Sequence, residues 1–250
     1  MKEHKLLYDL SRIYLAGLTA VIEDLRAEGV ENIPATGPVI LASNHINWMD
    51  ILTVTVPCPR RVHLMGKAEL FEMPVLGGYY RLLGAFPVRR GEGDREALRQ
   101  AMDVVTAGQV LCIMPEGHRS GTGVLMEGKS GVALIALRSG APIVPVAIWG
   151  TEKALRGLHY GPFRPTVHIV YGKPFTLTRS GPGHGREDVE RGINMIMLRI
   201  ASMLPPEYRG VYAEEVAALA ASAATTTDSE ASGLDYLAVE QPETAETSEN

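Results

Sequence analysis

Three short apolar runs, each bordered by glycine or proline, narrow the folds open to this chain. They are Val39-Ile40-Leu41-Ala42, Gln109 to Met114 and Ile143 to Trp149. Apolar runs this short, without polar alternation, are the pattern of strands covered on both faces, as in parallel sheets lying under helices. Between and after them the spacing predicts helices over 48–56, 74–83, 94–107, 129–139 and 187–203. Further strands are expected over 62–65, 84–88 and 166–171. Asp94 stands at an N-cap position, Gly140 closes one helix and Pro205-Pro206 end the last. The alternation predicts a single α/β domain: a mixed, mostly parallel sheet flanked by helices. Such folds hold ligands beyond the carboxyl ends of their strands.

The two ends read differently. Over residues 5–27, Leu7, Leu10, Tyr14, Leu18, Val21 and Leu25 recur at three- and four-residue spacing. This predicts an amphipathic helix that either packs on the body or lies on a bilayer. Residues 1–30 are assigned to that helix, 31–212 to the main domain and 213–250 to an acidic, low-complexity tail. The tail opens with a short helical stretch reaching Ala224 and then becomes Thr-, Ser-, Ala- and Glu-rich, a composition expected to be disordered.

The net charge of −5 conceals an asymmetry. Nine acids and no Lys or Arg follow Ala213, leaving 24 bases against 20 acids in the rest. A mildly basic body suits an anionic substrate or a membrane surface. With no basic stripe interleaved with aromatics, nucleic acid is not an expected partner. No apolar run reaches the roughly 18 residues of a spanning helix, and no secretory pattern is read. Cys58 and Cys112 are too few for a disulfide framework, and neither the cysteines nor the histidines have ligand spacing, so no metal site is expected. A cytoplasmic setting is the expectation.

The chemistry concentrates after the first apolar run, in Ser43-Asn44-His45-Ile46-Asn47-Trp48-Met49-Asp50. Histidine is the usual proton acceptor near neutral pH. A carboxylate five residues on can return to the ring if the backbone turns, fixing the tautomer and stabilising the imidazolium. No Gly-x-Ser-x-Gly elbow accompanies the pair. A base acting directly on a substrate hydroxyl, without a covalent enzyme intermediate, is therefore expected. His45, Arg90 and Glu116 each follow a predicted strand and are expected to share one sheet edge.

Four segments occur in order: Asn44 to Asp50, Gly84-Ala85-Phe86-Pro87-Val88-Arg89-Arg90-Gly91, Met114-Pro115-Glu116-Gly117-His118-Arg119-Ser120, and Ile143-Val144-Pro145-Val146. Together they resemble the glycerolipid acyltransferase family, of the 1-acylglycerol-3-phosphate acyltransferase type, over about Glu31 to Gly172. The resemblance implies His45 as general base and Asp50 as its orienting partner. It implies transfer from acyl-CoA or acyl-carrier protein, as co-substrate, to the hydroxyl of a lysophospholipid, giving phosphatidic acid. Another lysolipid or glycerol 3-phosphate is the alternative acceptor, and no resident cofactor is implied. Arg90, Glu116, Gly117 and Arg119 match residues that hold the glycerol phosphate. Guanidinium groups suit a phosphate monoester, and a glycine lets backbone approach closely. Pro145 lies in the block linked to the acyl donor or to shaping the site, and Lys129 is a further candidate phosphate or CoA contact. Asn47 stands where the family commonly has serine, His118 where it has threonine, and Arg89 where it is often acidic; these departures bear on acceptor choice, and Ser120, in the third block, is a further candidate site residue. The resemblance also implies peripheral attachment to the cytoplasmic face of a membrane.

Two rival readings are weighed. Gly123 to Ser130 matches the Walker pattern, but eight residues separate it from the preceding strand and Glu127 stands where a phosphate would sit. A lipid-binding module without catalysis would not need the intact His45 and Asp50.

Overall fold

The computed structural model describes residues 2–89, 94–154, 164–181 and 185–225. Seven strands form one sheet: β1 (Asp24–Glu28), β2 (Val39–Ser43), β3 (Val62–Lys67), β4 (Phe86–Val88), β5 (Val110–Ile113), β6 (Ile143–Trp149) and β7 (Thr166–Tyr171). The longer helices among the described residues are α1 (Lys2–Ile22), α2 (Asp50–Thr55), α3 (Leu76–Leu82), α4 (Arg95–Thr106), α5 (Gly131–Ser139), α6 (Gly185–Met203) and α7 (Ala213–Thr225). The strand order is β1-β7-β6-β2-β5-β3-β4. Every neighbouring pair is parallel except β6 with β7. The expected mixed, mostly parallel sheet is what forms.

The apolar runs occupy the centre, and their alternation divides the core. Ile40, Ala42, Leu111 and Ile113 face α4, α5 and α6. Val39, Leu41, Val110 and Cys112 face the opposite layer, with Val54 of α2 and Tyr171 of β7. Residue by residue, β2 is buried throughout because both faces are covered. Asp94 caps α4 as its position predicts: its side chain accepts from the N–H groups of Glu96 and Ala97.

The chain departs from expectation near its N-terminal end. The helix predicted over 5–27 stops at Ile22, and Asp24–Glu28 forms edge strand β1. The reason is a distant partner: β1 pairs along its length with β7, with Leu25 opposite Val167. Leu25, which completed the helical spacing, instead packs into the second core layer. The 1–30 segment is thus a helix plus the first strand of the domain. The short helix expected from residue 213 to Ala224 forms as α7, and its Val216 is buried in the first core layer. The disorder expected further on falls on residues 226–250, outside the described residues.

Candidate active site

β2 and β5 are adjacent and parallel, with Ala42 opposite Ile113. Their carboxyl ends therefore deliver His45 and Glu116 to the same place. The first residue past β2, Asn44, is pinned to β6: its side-chain amide donates to Ile148 O at 2.8 Å and accepts from Ile148 N–H at 2.7 Å. His45 follows on a fixed backbone. Its N–H donates to Glu116 Oε1 at 2.6 Å, and its carbonyl accepts from Ser120 N–H at 2.8 Å.

The turn from His45 to Asp50 is wound around the aspartate. Asp50 Oδ2 accepts from Ile46 N–H at 2.6 Å and Asn47 N–H at 2.8 Å, and lies 2.9 Å from His45 Nδ1. Oδ1 accepts from the Thr151 hydroxyl at 2.6 Å. Both His45 and Asp50 are buried. A carboxylate facing Nδ1 assigns the ring proton to that nitrogen and leaves Nε2 as the acceptor. Asn47 bonds locally, its Oδ1 accepting from Met49 N–H at 3.2 Å. Thr151 went unread in the sequence. It is delivered by Gly150, at φ +91°, where an added Cβ would stand 2.5 Å from Thr166 O.

The carboxyl of Glu116 points inward. One oxygen takes the His45 N–H and the other takes Met126 N–H at 3.0 Å, with the side chain buried. Both oxygens thus meet backbone N–H groups, and Glu116 is not among the residues that line the cavity beside His45. Burial pushes its pKa up to about 7, against the pull of those two bonds, and the charge of Asp50 adds to the rise.

A second buried carboxyl, Glu23, also went unread. It follows α1 and meets α2, where the Thr53 hydroxyl donates to Oε1 at 3.4 Å, while Oε2 is buried with no described partner. Burial again raises its pKa to about 7, the Thr53 bond opposes this and Asp50 adds to it. The folded state therefore keeps a proton that the unfolded chain releases above about 4.5. The stability so gained is complete below that value and lost as pH rises through about 7. Glu23→Gln mimics the protonated form. Its melting temperature is expected to gain roughly 2–4 °C on the wild type between pH 5.5 and 8.5, in thermal melts at both pH values; a constant difference would show an ordinary carboxyl.

Beside His45 lies a cavity of about 310 Å³. His45, Lys129 and Arg89 line it with the apolar side chains of Leu64, Leu98, Ile113, Val132 and Ile135. Gly117, at φ +76°, lets Lys129 lie against the backbone: an added Cβ would stand 2.8 Å from Nζ. Arg119 and His118 are exposed on the same loop, and the Arg119 guanidinium has no partner among the described residues. Arg90 lies outside the described residues. Pro145 is buried within β6, opposite Ala42, and does not line the cavity. The Walker-like stretch cannot cradle a phosphate. The N–H groups of Leu125, Met126, Gly128 and Lys129 donate to Tyr208 O, Glu116 Oε2, the Tyr212 hydroxyl and Pro115 O.

Comparison with known proteins gives a consistent result. The family described as Acyltransferase matches residues 24–149. The chain is 32% identical over 145 residues to 1-acyl-sn-glycerol-3-phosphate acyltransferase of Bacillus subtilis, covering 58% of this chain and 70% of that one. It is 30% identical over 159 residues to the chloroplast 1-acyl-sn-glycerol-3-phosphate acyltransferase BAT2 of Brassica napus, covering 60% of this chain but only 46% of the longer plant protein. Among solved structures, the 1-acyl-sn-glycerophosphate acyltransferase PlsC of Thermotoga maritima is similar, with a TM-score of 0.59 and 27% identity over 78% of this chain and 81% of that one.

Proposed function

The chain belongs to the acyltransferase family, and from that premise we propose that it moves an acyl group from a thioester donor to the free hydroxyl of a lysophospholipid. The acceptor proposed is 1-acylglycerol-3-phosphate, and the product phosphatidic acid. The observation that carries the reading is the buried His45–Asp50 pair, 2.9 Å apart, beside a largely apolar cavity. The Bacillus, Brassica and Thermotoga relatives are named for an acceptor of this class.

In the proposed reaction, His45 Nε2 takes the proton of the acceptor hydroxyl as its oxygen attacks the thioester carbonyl. The tetrahedral intermediate expels the thiolate, which takes the proton back from the imidazolium and leaves as a free thiol. Asp50 stabilises the imidazolium between the two steps. The apolar walls suit an acyl chain, and Lys129 and Arg119 suit a phosphate. Acyl-CoA or acyl-carrier protein enters as co-substrate, and the chemistry uses no resident cofactor. Glu116 holds the backbone of His45. The test is an acyl-transfer assay of the purified chain with lysophosphatidate, glycerol 3-phosphate and neutral lysolipids, each with both donor types. Transfer only to neutral lysolipids would reject the acceptor, and no transfer to any of them would reject the reading.

A lipid surface is the proposed place of work. Tyr8 and Arg12 tie the inner face of α1 to the body: the Tyr8 hydroxyl accepts from Val62 N–H and the Arg12 guanidinium donates to Cys58 O. The outer face turns Leu10, Ile13, Tyr14 and Val21 to the exterior, each more than half exposed. No described helix is long and apolar enough to cross a membrane. A helix of this kind binds lipid through its buried apolar area, at about 1.5–3 kcal/mol for a fully buried large side chain. Ile13→Glu with Val21→Glu is expected to weaken vesicle binding by at least about tenfold. Co-sedimentation with phospholipid vesicles measures it, and unchanged binding would place the lipid contact elsewhere.

A further inference from the structure

The loop from Met114 to Ser130 carries Glu116, Gly117 and Lys129, yet contains no helix or strand. Something else must fix it, since a base held through a mobile carboxylate would wander. Beyond the loop's own bonds and the one from Ser120 N–H to His45 O, fixing contacts come from a segment outside the family-matched residues, Pro206 to Tyr212. Leu125 N–H donates to Tyr208 O at 2.9 Å, and Leu125 O accepts from Val211 N–H at 3.4 Å. Three residues on, Gly128 N–H donates to the Tyr212 hydroxyl at 3.2 Å. The Leu125 side chain is buried in the first core layer, with Tyr208 and Tyr212 packed against that layer.

Gly210 is what allows so close an approach. Its φ is +53°, and an added Cβ would stand 1.9 Å from Leu125 O. No side chain fits between the two backbones, and the left-handed conformation excludes most other residues independently. The residue between Leu125 and Gly128 that matters is Met126, whose N–H holds Glu116 Oε2 while Oε1 holds the His45 N–H.

The same segment reaches the other half of the pair. The Tyr208 hydroxyl donates to Glu152 Oε1 at 2.8 Å. Glu152 is adjacent to Thr151, whose hydroxyl holds Asp50 Oδ1. One short stretch of chain therefore touches both lines of contact that converge on the dyad: one through Leu125, Met126 and Glu116 to His45, the other through Glu152 and Thr151 to Asp50.

We propose that Tyr208, Gly210 and Tyr212 form a clamp that positions the catalytic pair, so that the working site extends through residue 212. The clamp touches no substrate; it acts on the reaction through Glu116 and Thr151. The kinetic part of this proposal rests on the reading of His45 as the base, and the spectroscopic part does not.

Tyr212→Phe removes only the hydroxyl that accepts from Gly128, so the full-length protein folds. NMR of the ligand-free wild type and variant is compared at the backbone amides of His45 and Met126. Both resonances are expected to move, because both N–H groups donate to the carboxylate whose loop has been released. In the transfer assay with labelled acyl-CoA and lysophosphatidate, kcat is expected to fall roughly three- to tenfold, as for one lost hydrogen bond, with both KM values unchanged. Gly210→Ala is expected to cost about 10²-fold in kcat, the scale of a displacement of about 1 Å in the reacting groups. Unmoved His45 and Met126 amides in Tyr212→Phe overturn the clamp, as does a kcat equal to the wild type's or a loss appearing in KM alone. If the wild-type chain transfers no acyl group, the functional reading fails, and the two amide resonances still decide the clamp.

Discussion

His45→Ala is expected to lower acyl transfer by roughly 10²–10⁴-fold while the protein keeps its fold. The size follows from what is removed. In the proposed reaction the imidazole accepts the hydroxyl proton, and the proximity of two bound substrates, which the substitution leaves in place, supplies much of the remaining rate. The fold survives because the backbone contacts of His45 persist: its N–H still meets Glu116 and its carbonyl still meets Ser120. Asp50→Asn is the harsher change for stability. The single oxygen Oδ2 accepts two backbone N–H groups and lies against the ring nitrogen, while Oδ1 takes the Thr151 hydroxyl. An amide can keep its oxygen toward the two N–H groups and the ring only by turning its NH₂ to Thr151, whose hydroxyl must then reverse and accept, and the negative charge that those donors face is lost. Release of labelled thiol or formation of labelled diacyl product measures the rates, and circular dichroism checks the fold. Transfer by His45→Ala at the wild-type rate would remove His45 as the base.

What the sequence made legible was local, and what it hid was set by the order of the strands. The buried runs at Val39, Val110 and Ile143 stand at the centre of the sheet because continuous apolar character needs no partner to be recognised. The His45–Asp50 return is likewise legible, since five residues suffice to close it. β1 was not legible. Its charged residues suit a sheet edge, its one well-placed leucine also fits a helical repeat, and β7, which makes it a strand, lies some 140 residues further on. Thr151 and Glu23 were hidden for the same reason. Thr151 reaches Asp50 only because β6 lies beside β2, and Glu23 meets α2 only because α1 folds back over it. Glu116 is the instructive middle case. Its motif placed it at the site, but nothing in the order of residues says which way a side chain points.

That inward direction makes Glu116→Ala the second large effect. Removing the carboxyl leaves the N–H groups of His45 and Met126 facing a void that was their acceptor, at about 1–3 kcal/mol for each buried donor left unpaired. The backbone that presents the base relaxes, and kcat is expected to fall about 10²-fold. Glu116→Gln separates charge from geometry. Its one oxygen can serve either N–H, and its NH₂ then opposes the other, so it is expected to recover only part of the loss. A carboxylate that met the acceptor directly would behave in the opposite way. Facing a phosphate, it would repel it, and its removal would change the acceptor KM with kcat intact. Initial rates over a matrix of acceptor and donor concentrations distinguish the two. A fall confined to kcat fits a residue that holds His45 from behind, and a change confined to the acceptor KM would return Glu116 to the substrate side of the site.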